Sequence, residues 1–299
     1  MYPNVSVRTA DTKHCTLVPI RGFPRRAGRT VSDSSGLHAQ GGIVENGASP
    51  THCHAMKIAA LSDIHGNLPA LDAVLRHIRS QGADLIVNLG DIVSGSISPA
   101  ETADRLMALD LPTIRGNHER QLLAGDSAGM GASDRFARAV LRADQLDWIA
   151  QLPATLCIAD DVLMVHGTPE NDLDYFLETV TEAGCRAATQ AEVERRAGDG
   201  PERLILCGHT HVPRSATLGD GRLVVNPGSV GLQAYQDDLP WPHRIETGSP
   251  HARYATVTRT KSGWDAEFHA VEYDWDATAD LARSNGRPDW VMALREGRC

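Results

Sequence analysis

The stretch Lys57-Ile58-Ala59-Ala60-Leu61-Ser62-Asp63-Ile64-His65 decides how this chain is read. A short apolar run, sized for one buried strand, gives way to an Asp and a His and then to Gly66. The same grammar recurs downstream. Leu85-Ile86-Val87-Asn88-Leu89 precedes Gly90-Asp91, Val162-Leu163-Met164-Val165 precedes His166-Gly167, and Leu204-Ile205-Leu206-Cys207 precedes Gly208-His209-Thr210-His211. A shorter run, 112–115, ends in Gly116-Asn117-His118-Glu119. In an open α/β sheet the carboxyl ends of the strands form the rim where ligands bind. Five such ends carrying Asp, Asn and His specify a polar site suited to metal ions.

Between these blocks the apolar spacing turns helical. Leu68, Leu71, Val74, Leu75 and Ile78 recur at three and four residues, and Pro99 opens a second helix with Ala103, Leu106, Met107 and Leu109 inward. Further helices are expected near 117–125 and 134–150. Alternating strand and helix implies right-handed crossovers and a mainly parallel sheet. The second half reads as β-rich. Residues 155–159 and 162–165 flank Asp160-Asp161 as a hairpin, and strands follow at 203–207, 222–226, 253–259 and 265–273, the last two around Lys261-Ser262-Gly263. The expected fold class is α/β, with two mixed β-sheets packed face to face and helices outside.

Ligand chemistry narrows the site. Imidazole suits Zn, Cu, Fe and Ni, whereas carboxylates and carbonyls suit harder ions such as Mg, Ca and Mn. Three Asp or Asn oxygens (Asp63, Asp91, Asn117) and four imidazoles (His65, His166, His209, His211) exceed what one tetrahedral ion needs. Two adjacent divalent ions are therefore expected, drawn from Mn, Fe, Ni or Zn, with Asp91 the best bridging carboxylate. A pair of ions about 3.5–4 Å apart can hold a bridging hydroxide and clamp the oxygens of an in-line phosphoryl displacement.

Asp-x-His, Gly-Asp, Gly-Asn-His-Glu, a lone His and Gly-His-x-His, in that order over about residues 56–275, resemble the calcineurin-like metallophosphoesterase superfamily. Single blocks are common by chance; all five in order are specific. The resemblance implies a four-layer α/β/β/α sandwich. It also implies that Asp63, His65, Asp91 and His211 hold one ion and that Asp91, Asn117, His166 and His209 hold the other. His118 matches a histidine that contacts the phosphate or protonates the leaving oxygen, and Asn67 and Asn117 are expected to touch the phosphate as well. By residue type alone Asn117 is equally a helix N-cap and His166-Gly167 a simple turn, so their ligation comes from the resemblance. Glu119 could hold His118 or serve the first helical turn, where its charge is favourable.

One departure bears on substrate. Protein Ser/Thr phosphatases and symmetrical dinucleoside tetraphosphatases carry Gly-Asp-x-Val-Asp-Arg-Gly at the second block. Here it reads Gly90-Asp91-Ile92-Val93-Ser94-Gly95-Ser96, without the second Asp and the phosphate-clamping Arg. The chain is more similar to the small stand-alone bacterial and archaeal phosphodiesterases of the superfamily. The expected activity is dinuclear hydrolysis of a phosphodiester, with a phosphomonoesterase or protein phosphatase as the alternative. A catalytically silent scaffold would show lost ligands, and none is lost.

The rest of the chain sets bounds. Its 299 residues suffice for a substantial core, and 41% hydrophobic with 22% charged residues describes an ordinary globular protein. A formal net charge of −9 argues against a broad nucleic-acid surface, and Arg21, Arg25, Arg26 and Arg29 are too few to indicate one. No apolar run approaches a membrane span. Six scattered cysteines without a Cys-x-x-Cys pair, and no secretory segment, point to reduced thiols in the cytoplasm. The expected partner is a small phosphate ester, with neither membrane nor nucleic acid as a structural partner.

Residues 1–55 lack sustained periodicity and are expected as a disordered extension, with Met56 as the functional start or the edge of the tail. The domain is expected over 56–275, followed by a helical tail over 276–299 packed through Leu281, Trp290, Val291 and Leu294. Residues 231–249 lack periodicity and are expected as a loop, either a substrate-side lid or a surface insertion. His77 is expected as a solvated helix residue, and His52-Cys53-His54 as part of the solvated tail.

Overall fold

The computed structural model of the chain describes residues 6–11, 14–19, 55–125 and 130–299. Chain order runs β1 (Ser6–Asp11), β2 (His14–Pro19), β3 (Lys57–Leu61), α1 (Leu68–Gln81), β4 (Leu85–Asn88), α2 (Pro99–Leu109), α3 (Asn117–Leu123), α4 (Ala132–Val140) and α5 (Ala143–Gln151). It continues through β5 (Leu156–Ile158), β6 (Val162–Met164), β7 (Glu178–Thr181), β8 (Gly184–Ala187), α6 (Gln190–Ala197), β9 (Leu204–Leu206), β10 (Arg214–Thr217) and β11 (Leu223–Asn226). The last elements are β12 (Ala234–Asp237), β13 (His243–Glu246), β14 (Ala252–Arg259), β15 (Trp264–Val271), α7 (Trp275–Ser284) and α8 (Trp290–Glu296).

Two sheets dominate, ordered β15-β14-β3-β4 and β10-β11-β9-β6-β5-β1-β2. β3 runs parallel to β4, and β9 runs parallel to both β6 and β11, while β14 joins β3 antiparallel, so both sheets are mixed. Alternation within single strands builds the layers. Ile58 and Ala60 of β3 face Met164, Leu204, Leu206 and Val225 of the other sheet, whereas Ala59 and Leu61 face Leu71, Val74 and Ile78 of α1. On the far side of the larger sheet, Ile205 and Val224 pack against Val193 and Ala197 of α6. The result is the expected four-layer α/β/β/α arrangement. Strands buried on both faces need continuous apolar runs, and each fully buried Leu, Ile or Val side chain contributes about 1.5–3 kcal/mol.

Several expectations are corrected. The stretch 134–150 is two helices: Leu141 leaves helical geometry to join the core, and Gln145 caps a new start by accepting the Arg142 N–H and donating to the Ala100 carbonyl. Residues 231–249 are not an irregular loop but carry the antiparallel β12–β13 hairpin. The tail breaks into α7 and α8; Trp290, Val291 and Leu294 pack against Ile97 and Leu232 as expected, but Leu281 is exposed and Ala279 and Ala282 take its place. His77 is half-buried, with its Nδ1 2.7 Å from the Tyr254 hydroxyl. Ser6–Asp11 and His14–Pro19, inside the expected extension, pair with one another, and β1 adds to the β5 edge. The remainder of 1–54, including His52-Cys53-His54, lies outside the described residues. Among the described residues no helix is long and apolar enough to cross a membrane.

Candidate metal centre

Four of the five motifs follow a strand, β3, β4, β6 or β9, where the chain turns sharply; the Asn117 motif follows only a single bridge from Thr113 to Asn88, not the expected strand over 112–115. Asp63, His65, Asp91, His209 and His211 all have φ between 49° and 69°, and they make up five of the eight non-glycine residues with positive φ among the described residues. Such left-handed conformations cost roughly 1–3 kcal/mol each and persist only where surrounding structure enforces them. Here the loops enforce one another. Asp63 N donates to Gly90 O at 3.0 Å, His65 N to Asp91 O at 3.0 Å, Gly231 N to Asp63 O at 3.0 Å and Gly208 N to His166 O at 2.7 Å. Gly116 and Gly208 allow the close approach: a Cβ at Gly116 would stand 2.2 Å from Asp91 Oδ1, and one at Gly208 2.0 Å from Ser62 Oγ.

Two donor groups result, Asp63/His65/His211 and Asp91/His166/His209, each with ligand atoms within 4.8 Å of one another. In the first, His65 Nδ1 donates to Ser94 O and His211 Nδ1 to Leu232 O, both at 2.7 Å. Those bonds place both ring protons on Nδ1 and leave two Nε2 lone pairs facing each other at 3.1 Å. Neither nitrogen can donate to the other in that tautomer; a shared cation gives both lone pairs a partner. Asp63 Oδ1 is buried 3.4 Å from His211 Nε2, with no hydrogen-bond donor among the described residues. This donor set fits a divalent ion. Burial, reinforced by the neighbouring His211, pushes the His65 pKa down to about 4, which keeps it in the ligating neutral form.

In the second group His166 Nδ1 donates to Leu89 O at 2.8 Å, and its Nε2 lies 3.1 Å from both Asp91 Oδ2 and Asn117 Oδ1. Three acceptor atoms therefore converge on a point that requires either a proton or a cation. Burial opposes charging His166, but Asp91 outweighs it and lifts the pKa to about 10. His209 is turned the other way: its Nε2 donates to Leu173 O at 3.1 Å, which leaves Nδ1 to ligate. Asp91 acts electrostatically on Asp63 and His65 as well as on His166 and His209, consistent with a position between the groups.

Glu119 explains how Asp91 is held. Fully buried, it accepts N–H bonds from Asp91 at 2.8 Å, Ile92 at 2.7 Å and Gly116 at 2.9 Å, tying the Gly90-Asp91 loop to the start of α3. It therefore holds the metal loops, in addition to serving the first turn of α3. His118 N donates to Asp91 Oδ1 at 3.1 Å, and its ring stands edge-on to His65 with centroids 5.4 Å apart. Asn67 takes a different part from the one expected. Its Oδ1 caps α1 by accepting from Ala70 N, its Nδ2 donates to Gly231 O at 2.9 Å, and the side chain is fully buried, so it braces the ligand loops without opening toward a substrate.

Residue types alone missed the aromatic surround. The Tyr175 ring packs on His209 and the Tyr235 ring on His211, with centroids 5.2 and 4.8 Å apart. The Tyr175 hydroxyl lies 2.7 Å from that of Tyr235 and 2.8 Å from His243 Nε2. Because His243 Nδ1 donates to Trp241 O, Tyr175 is the donor to His243. Trp290 of α8 stands edge-on to His65 at 6.3 Å. No spacing rule links these residues to the motifs; Tyr235, Trp241 and His243 lie in the aperiodic 231–249 stretch and Trp290 in the expected tail helix, whereas nothing in the sequence singled out Tyr175.

Comparison with known proteins agrees with the geometry. Over 249 residues the chain is 26% identical to an uncharacterized protein of Methanocaldococcus jannaschii, covering 78% of this chain and 95% of that protein. Over 77 residues it is 35% identical to the phosphodiesterase YfcE of Escherichia coli strain K12, covering 22% of this chain and 42% of the relative. The crystal structure of a metallophosphoesterase from Sphaerobacter thermophilus superposes with a TM-score of 0.63 at 27% identity, covering 82% of this chain and 100% of that one. The calcineurin-like phosphoesterase superfamily domain matches residues 56–239, the span that holds every donor described above, and the chain belongs to that superfamily.

Proposed function

We propose that this protein is a dinuclear metal-dependent phosphodiesterase acting on a small phosphate ester. The observation that carries it is the pair of donor groups, Asp63/His65/His211 and Asp91/His166/His209, with imidazole lone pairs and carboxylate oxygens aimed inward and every opposite ring nitrogen tied to a backbone carbonyl. Asp63, His65, Asp91 and His211 hold one ion, and Asp91, Asn117, His166 and His209 the other. When bound, two divalent ions supply positive charge for the phosphoryl oxygens and acidify the attacking water. The chain does the remaining work. The carbonyls of Ser94, Leu89 and Leu232 fix ring orientation, as partners behind metal-ligating histidines do. His118, with a side chain 29% exposed, delivers a proton to the leaving oxygen. Burial disfavours its charged form, but Asp91 and a hydrogen bond to Asp134 outweigh that and raise its pKa to about 9.

Preference for a diester is supported by the second block, where Ser94 and Gly95 stand in place of an Asp and a phosphate-clamping Arg, and by the YfcE phosphodiesterase among the relatives. The test is Mn-reconstituted protein assayed in parallel on bis-p-nitrophenyl phosphate and p-nitrophenyl phosphate, with metal measured by elemental analysis. Two ions per chain and a preference for the diester are expected. Full activity at one ion per chain would sink the dinuclear reading, and turnover of the monoester alone would sink the diesterase reading.

A further inference from the structure

His118 has a second anchor that neither donor group uses. Its Nδ1 lies 2.9 Å from Asp134 Oδ1 and 3.2 Å from Ser94 Oγ, and Ser94 in turn donates its hydroxyl to the same carboxylate oxygen. Asp134 is 2% exposed. It comes from the first turn of α4, 16 residues beyond His118, and makes no side-chain cap for that helix. A carboxylate buried to this degree is costly unless it is hydrogen-bonded or paired, and its partners here are His118 and Ser94.

The consequence follows from hydrogen-bond polarity. An ionised carboxylate only accepts, so Asp134 keeps a proton on His118 Nδ1. The peptide N–H of His118 is held by Asp91 Oδ1, which fixes the main chain, and Asp134 then fixes the ring plane. Nε2 is left as the nitrogen that exchanges its proton. We propose that Asp134, through Nδ1, is the positioning residue that sets the tautomer and aim of His118, with Ser94 locking the carboxylate in place. This rests on the proposed acid role of His118. The proton ledger closes: as the P–O bond to the leaving group breaks, the Nε2 proton passes to the leaving oxygen to give the alcohol. His118 remains as neutral imidazole with Nδ1–H on Asp134. A related arrangement, an Asp orienting the Nδ1–H of a catalytic imidazole, is worth up to about 10⁴-fold in a serine protease.

The test uses the full Mn-loaded chain and two diesters: bis-p-nitrophenyl phosphate, with a good leaving group, and diphenyl phosphate, with a poorer one. Asp134→Ala should retain both ions and lose about 10–10²-fold on diphenyl phosphate, the usual scale for partners behind functional histidines. On the p-nitrophenyl diester it should lose much less. Asp134→Asn, which keeps the shape and one acceptor, should fall between wild type and Asp134→Ala, and it decides the matter if Asp134→Ala does not fold. In a His118→Asn background neither Asp134 variant should reduce the rate further. If His118→Asn alone loses equally on both diesters, the acid role is wrong. If His118→Asn is selective for the poor leaving group but the Asp134 variants are not, or if their losses add to it, the acid role stands and the positioning role of Asp134 is overturned.

Discussion

His65 and His211 are anchored through Nδ1 to the carbonyls of Ser94 and Leu232, both buried in the fold, whereas His209 is anchored through Nε2 to Leu173, whose side chain is 48% exposed. The two donor groups thus share chemistry but differ in what stands behind them. The first leans on loops that zip to one another through backbone bonds above the β3–β4 edge. In the second, His166 rests on the carbonyl of buried Leu89, but behind His209 is a surface loop, held down by the bidentate Arg120–Asp172 pair at 2.8 Å and by the Tyr175 hydroxyl reaching the β12–β13 hairpin. Exposed ion pairs contribute about 0–1 kcal/mol. The difference teaches that donor identity sets which ion can bind, while the stiffness of the carbonyl behind each imidazole sets how firmly it is held.

The largest effect should come from Asp91, the residue proposed to serve both groups. Asp91→Asn removes the charge that acts on both, so metal content should fall toward zero and activity by about 10³-fold or more, since metal charge stabilisation is worth several kcal/mol. Elemental analysis and steady-state assays check this; a variant that keeps one ion in the first group would show that Asp91 belongs to the second alone. Next, stepwise dialysis of the Mn-loaded protein against a chelator should remove the ion of the second group first, giving a plateau near one ion per chain. Loss of both ions in a single step would erase the asymmetry.

A smaller change follows from cutting the loop tether. Tyr175→Phe removes the hydroxyl that joins Tyr235 and His243, at a cost of about 0.5–1.5 kcal/mol in stability, and should weaken the second ion several-fold while leaving the first unchanged. Thermal melts and metal titration separate the two consequences; equal weakening of both ions would show that the hairpin supports the whole centre. The smallest effect is expected from a chain beginning at Met56. It lacks the β1–β2 pair on the β5 edge, but every donor lies beyond it in sequence, so metal content and turnover should be retained. Loss of either would mean that this edge helps to place His166, two residues past β6.

What the sequence determined by itself were β3, β4, β6 and β9 and the residues that follow them. Apolar runs such as Lys57–Leu61 and Leu204–Leu206 can be satisfied only by burial on both faces, and the Asp, Asn and His residues that end them stand on the rim of any sheet so built. The first two helices were legible through Pro99 and the spacing of Leu68 to Ile78. Thr189 with Glu192 is a further local signal, a reciprocal capping box at the start of α6. The β12–β13 hairpin lay in a stretch without periodicity, and its Tyr235 and His243 side chains meet Tyr175, about 60 residues away in sequence.

Tertiary structure alone decided the parts that depend on which residue lies behind which. Asn67 carries a side chain suited to phosphate, yet its two ends are taken by Ala70 and Gly231, and only the approach of residue 231 shows it. Asp134 resembles any acidic residue in a first helical turn until α4 brings it to His118. Ring tautomers, the asymmetry between the two groups and the bracing by Glu119 rest on backbone carbonyls and amides. Every residue has those groups, so no residue type announces where they will be; only the folded chain places them.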